Sequence, residues 1–182
     1  MARSLGALRA WGYALALVVF AIDRAVKALV TGPLDLERVG AITLLPIFDL
    51  RYTQNFGVSL GMFTATSAEM RWGLIAVTGL IAAGVAFWML REKLAGEIAG
   101  LSLVLGGALG NIYDRFTFGF VIDYADLHIG EWRPFLIFNI ADAAISFGVL
   151  ILLARSLLSR EKPGSDQDPH GEDPSATETI DA

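Results

Sequence analysis

The sequence predicts an all-α membrane protein with a small extramembrane β element: four transmembrane helices, both termini cytoplasmic. Three observations predict it. Of the 182 residues 54% are hydrophobic and the mean hydropathy is +0.55, high for a soluble domain. The apolar residues fall in four blocks of about twenty, the length that crosses a bilayer core. The few polar residues inside those blocks gather near one end, and polar groups at membrane depth face a protein interior and mark function.

The first span is predicted over residues 11–30. A basic start (Arg3, Arg9) precedes the run Trp11–Ile22, as in a signal peptide. No small-x-small cleavage site follows, and Asp23-Arg24-Ala25-Val26-Lys27 continues the helical spacing into Val30. Asp23 and Lys27 are four apart and can pair on one face. Two meanings stay open: an ion pair snorkelling to water, or support for a nearby site. Thr31-Gly32-Pro33 stops this helix. Ala41–Leu45 and Phe48–Thr53 read as short strands broken by Pro46. Gln54-Asn55-Phe56-Gly57-Val58-Ser59-Leu60-Gly61 follows, its glycines suited to turns. This segment is expected to form a small sheet on the membrane surface.

Met70–Leu90 is the second span. Arg91-Glu92-Lys93 is a loop, and the third span runs from about Ala95 to Arg115. Its pairs Gly96/Gly100 and Gly106/Gly110 permit close helix packing. Phe116–Tyr124 is aromatic and β-rich, and Glu131-Trp132-Arg133-Pro134 ends that surface segment. The fourth span is predicted over Phe135–Leu153. Residues 1–160 form one membrane domain. Residues 161–182 form a disordered acidic cytoplasmic tail.

The formal charge of −5 comes from that tail, which holds seven of 19 acids and one of 14 bases. The remainder is close to neutral, and no basic stripe points to nucleic acid. With no cysteine, disulfides, a thiol nucleophile, thiolate metal ligation and lipidation on cysteine are excluded. His128 and His170 alone cannot build a zinc site, so no metal is expected. Arg3, Arg9, Arg91, Lys93, Arg155, Arg160 and Lys162 flank the ends assigned to the cytoplasm.

That topology gathers the polar pairs. Asn111-x-x-Asp114 closes the third span and Asn139-x-x-Asp142 opens the fourth. On a helix, each spacing aims an amide and a carboxylate along one face. Asp123 lies between them, and Asn55 and Ser59 belong to the other outer segment. Three carboxylates therefore converge at one interface. Two nearby carboxylates share a proton, so one can activate water while the other protonates the departing group. Two rivals remain: a small proton- or ion-coupled transporter, whose acids would run across the bilayer, and a scaffold whose polar residues only glue helices together.

Asn55-x-Gly57, Gly107-x-x-Gly110-Asn111-x-x-Asp114-Arg115, Val121-x-Asp123-Tyr124 and Phe138-Asn139-x-Ala141-Asp142 occur in this order on four spans. With Asp23-x-x-x-Lys27, the chain resembles bacterial lipoprotein signal peptidase (signal peptidase II), over roughly residues 15–155. The resemblance implies a four-helix membrane aspartic endopeptidase of the bacterial inner membrane, active at its outer face. Such an enzyme cuts prolipoproteins on the N-terminal side of a diacylglyceryl-modified cysteine. It implies Asp123 and Asp142 as the catalytic pair. Asn55, Gly57, Asn111, Asp114, Arg115 and Asn139 would support the pair or bind substrate, with Asp23 and Lys27 as further polar support. The partners implied are the lipid-modified precursor and membrane lipid. No cofactor and a monomer are expected. Leu60 and Tyr124 stand where the family usually has Phe, and both keep an apolar or aromatic character.

Overall fold

The computed structural model describes residues 4–57 and 68–159. Helix α1 spans Leu5–Thr31, a short α2 spans Leu36–Val39, and strands β1 and β2 span Ala41–Leu45 and Phe48–Asn55. Helix α3 (Ala68–Arg91), helix α4 (Ala95–Thr117), strand β3 (Val121–Leu127) and helix α5 (Ile140–Ser159) complete the order. α1, α3, α4 and α5 are each long and apolar enough to cross a membrane. The all-α membrane class with a small β element therefore holds. Ser59, Leu60 and the acidic tail lie outside the described residues.

α4 is the axis. Half of its apolar window is buried, against 17% or less for the other three spans. Its small residues explain this, because they let neighbouring backbones approach. A Cβ on Gly100 would meet the Gly148 carbonyl of α5 at 3.0 Å, and one on Gly106 would meet the Ala16 carbonyl of α1 at 2.5 Å. Gly107 faces the Ala141 carbonyl of α5 closer still. Both sides of that contact are backbone, so Gly107→Ala must push α5 away. It is expected to cost about 1–3 kcal/mol as an overpacked interface, read as a lower melting temperature in detergent.

One end of the bundle is tied by Arg9, which donates to the Glu92 carbonyl at 3.1 Å, and by the Arg155–Glu97 ion pair at 3.8 Å. The start of α1, the α3–α4 loop and the end of α5 therefore share that end. α1 begins earlier than expected because Ser4 caps it, its hydroxyl accepting from the Ala7 N–H at 3.3 Å.

The sheet sits at the opposite end, antiparallel in the order β1-β2-β3. Its third strand comes from the segment before α5, so the sheet joins two chain segments that the sequence reading kept apart. Val30 of α1 and Leu36 of α2 pack with Ile122, Tyr124 and Ala125 of β3, which seats the sheet on the helix ends. Two boundaries move. α4 continues through Thr117, and Gly119 (φ +92°) turns the chain into a strand that starts at Val121 rather than Phe116. α5 begins at Ile140 rather than Phe135. Phe138 is held extended by exchanging backbone hydrogen bonds with Ala125 (3.1 and 2.8 Å), so the helix can start only after Asn139.

Candidate active site

β3 places Asp123 between β2 and the start of α5. Asp123 pairs with Thr53 across the β2–β3 ladder, and its carboxylate is 1% exposed. Oδ2 accepts from Asn55 Nδ2 at 3.0 Å, and Oδ1 from Asn139 Nδ2 at 2.6 Å. Asn55 is itself fixed, its Oδ1 accepting the Gly57 N–H at 2.8 Å. This turn requires Gly57 at φ +89°, a conformation costly for other residues.

Asp142 is half-buried in the first turn of α5. Its Oδ1 accepts from Asn111 Nδ2 at 2.8 Å and its Oδ2 from the Asn139 N–H at 3.3 Å. In return Asn139 Oδ1 accepts the Asp142 N–H at 2.9 Å. This reciprocal exchange is a capping box. Only Asn111-x-x-Asp114 is therefore the helix-face pair expected of both motifs. Asn139-x-x-Asp142 is the cap that begins α5. Asn139 also bridges the two acids: its amide nitrogen reaches Asp123 Oδ1, Asn111 Oδ1 (3.3 Å) and the Ile122 carbonyl (3.3 Å).

Beneath this lies a buried ion cluster. Asp23, Lys27 and Asp114 are all fully buried. Lys27 Nζ stands 2.9 Å from Asp23 Oδ2, 2.7 Å from Asp114 Oδ2 and 3.5 Å from Asn111 Oδ1. Arg24 closes the other oxygen of Asp114. The free lone pairs go to backbone: Asp114 Oδ2 accepts the Ile122 N–H at 3.2 Å, and Asp23 Oδ1 the Ala141 N–H at 3.1 Å. Each is one residue before a member of the acid pair. Asp23 and Lys27 thus do not snorkel. They pin the backbone beside Asp123 and Asp142, and Asp114 has its carboxylate taken up by Lys27, Arg24 and the Ile122 N–H.

Asp123 lies outside the spans, and its pKa is pushed up to about 6, first by burial and then by the nearby Asp142 carboxylate; Asn55, Asn139 and Lys27 act against the shift. Burial likewise raises the Tyr124 phenol, which keeps its neutral hydroxyl as acceptor for the Ile140 N–H at 3.3 Å. Two open clefts meet at Leu136. One of about 320 Å³ reaches Asp123 past Asn55 and Phe56; the other, of about 310 Å³ and almost wholly apolar, reaches Asp142 past Phe138 and Phe147. Arg115 stands apart. It lies beside Gly57 and lines a smaller apolar cavity with Asn111 and Thr78, its Nε buried without a hydrogen-bond partner among the described residues.

The structure therefore brings together Asp23, Lys27, Asn55, Asn111, Asp114, Asp123, Asn139 and Asp142, with Gly57 and Arg115 at the rim. Sequence reasoning missed Arg24. Its signal was available, since Arg24 and Lys27 are three apart on one helix and share the face that meets Asp114.

The arrangement has known relatives. Two solved structures, each described as a bacterial membrane enzyme, share the fold with TM-scores of 0.71 and 0.70. They are 22% and 24% identical, the first covering 87% of this chain and 95% of the other, the second 81% and 93%. The lipoprotein signal peptidase of Sphingopyxis alaskensis is 54% identical over 154 residues, covering 85% of this chain and 89% of that protein. The one from Rhizorhabdus wittichii is 51% identical over 160 residues, covering 88% and 92%. A family model for signal peptidase (SPase) II matches residues 15–158, which takes in most of the first span, the other spans, the sheet and every residue of the site: the chain belongs to the signal peptidase II family.

Proposed function

We propose that the chain is an aspartic endopeptidase that removes signal peptides from prolipoproteins, cutting on the N-terminal side of a diacylglyceryl-modified cysteine, with Asp123 and Asp142 as the catalytic pair. The observation that carries it is the bridge: one residue, Asn139, hydrogen-bonds both carboxylates, Asp123 through its side-chain amide and Asp142 through its backbone N–H, and the buried Asp123 holds its proton to about pH 6. The resting site carries one shared proton. A water between the acids gives its proton to the ionised member and attacks the scissile carbonyl, while the protonated member donates to the carbonyl oxygen. As the C–N bond breaks, the proton taken from water goes to the departing amide nitrogen, and a hydroxyl of the tetrahedral diol returns its proton to the acid that gave one. Burial favours Asp123 as the resting proton holder. No cofactor is required. The two clefts meeting at Leu136 suit an amphiphilic substrate, the apolar one taking hydrocarbon.

We infer from the positive residues at the α3–α4 loop end that this end faces the cytoplasm. The site then lies at the outer face of the inner membrane, and the enzyme works as a monomer. Residues 1–160 form the peptidase domain, and those from 161 an appendage.

The test is cleavage in reconstituted vesicles of a precursor with and without the diacylglyceryl group, the cut mapped by mass spectrometry. Cleavage only of the lipidated form, at the cysteine, is expected, with no effect of a chelator. Equal cleavage of both forms would refute the substrate assignment. The pH dependence has a definite sign. Because the Asp123 pKa is raised, the singly protonated pair is lost as pH rises through it. kcat/KM should therefore fall above about pH 6. The limb in kcat should sit higher, since bound substrate desolvates the pair further.

A further inference from the structure

We propose that a second groove, on the side of α4 away from the acid pair, holds a glycerophospholipid whose phosphodiester rests on Arg24. Leu17 and Phe20 of α1 and Leu109, Ile112, Tyr113 and Phe116 of α4 line a cavity of about 350 Å³ that is almost entirely apolar. Phe20 and Tyr113 meet edge to face at 6.1 Å and stiffen its floor. Both helices run toward the sheet end, so the groove lies along the spans. Arg24 follows Phe20 by one helical turn, about 6 Å further toward the interface. Its guanidinium carbon stands 4.3 Å from the Tyr113 ring centroid and 5.9 Å from that of Phe118. A cation thus roofs one end of a hydrocarbon slot.

Arg24 has donors to spare. Among the described residues its one ion pair is from Nη1 to Asp114, and the side chain remains 21% exposed. A guanidinium carries five N–H donors in a planar fork suited to phosphate oxygens. Other occupants fit less well. A peptide would find no backbone partners on the apolar wall. The helix of a second copy would want small residues for close approach, and this wall is Leu, Ile, Phe and Tyr. An acyl chain needs only the wall, and the phosphodiester only Arg24.

The experiment is native mass spectrometry of delipidated protein in detergent, titrated with dioleoylphosphatidylglycerol and, separately, with dioleoylglycerol, which has the same chains and no phosphate. One phospholipid per chain should be retained at least about tenfold more strongly than the diacylglycerol, as loss of a charge-assisted contact implies. Arg24→Lys, which keeps the charge and loses the fork, should reduce retention. Leu109→Trp, which fills the groove from a position 40% exposed, should do the same. Leu80→Trp, 74% exposed on α3, should change nothing. Equal retention of the two lipids overturns the proposal. Undiminished retention by Leu109→Trp, or a bound mass equal to a second chain, does so too. Leu109 lies away from the buried ion cluster, so that variant decides the matter even if Arg24→Lys fails to fold.

Discussion

Asp123→Asn and Asp142→Asn should each reduce cleavage of the lipidated precursor by at least about 10³-fold, the upper part of the range for losing a positioned acid or base. Their effects on stability should differ. Asp123 accepts from two amide nitrogens, Asn55 Nδ2 and Asn139 Nδ2. An asparagine there has only one acceptor oxygen, so its own NH₂ must face a donor. Neither neighbour can turn its amide without loss, since the Asn55 oxygen holds the Gly57 N–H and the Asn139 oxygen holds the Asp142 N–H. A cost of about 1–3 kcal/mol is expected from that unmatched buried group. Asp142→Asn can keep its Oδ1 toward Asn111 and sets its amide nitrogen against the Asn139 N–H, but the site is half-buried, so water can take the unmatched donors and it should melt closer to the parent. A folded protein with near-parent turnover in either variant would sink the assignment.

Lys27→Met should be the most damaging single change to the fold. It removes the cation that stands 2.9 Å from Asp23 and 2.7 Å from Asp114 in a fully buried site. Arg24 still neutralises one oxygen of Asp114, but Asp23 is left without its partner. Breaking a buried pair from one side costs about 3–5 kcal/mol. Lys27→Met together with Asp23→Leu should recover much of that loss in the melting temperature, because both charges leave at once. If the double variant is no better than the single one, the pairing is not what holds this region.

The spans were legible because hydrocarbon imposes one rule, twenty apolar residues at a time, and α1, α3, α4 and α5 obey it. The acids were legible as a group because Asn111, Asp114, Asp123, Asn139 and Asp142 have no reason to sit in or beside those blocks unless they meet. What each does was not legible from spacing. Asn111-x-x-Asp114 and Asn139-x-x-Asp142 are the same letters, yet one lies inside a helix and the other begins one. The difference is set by Phe138, whose backbone pairs with Ala125 only once β3 is in place. The third strand was obscured for a similar reason. β3 contributes its register through a partner some 70 positions away, Thr53 against Asp123, and no local pattern announces such a partner. Arg24 escaped notice because the pair Asp23 and Lys27 looked complete without it.

The hydrogen bond from the Ala141 N–H to Asp23 joins positions 118 apart in the chain. A ribosome delivers Asp23 first and Ala141 last. Until the final span is threaded into the bilayer, the anion in the first span lacks that donor, Asn139 has no helix to start, and the two acids cannot share a bridge. On the proposed assignment the acid pair is complete only when the last helix docks against the first.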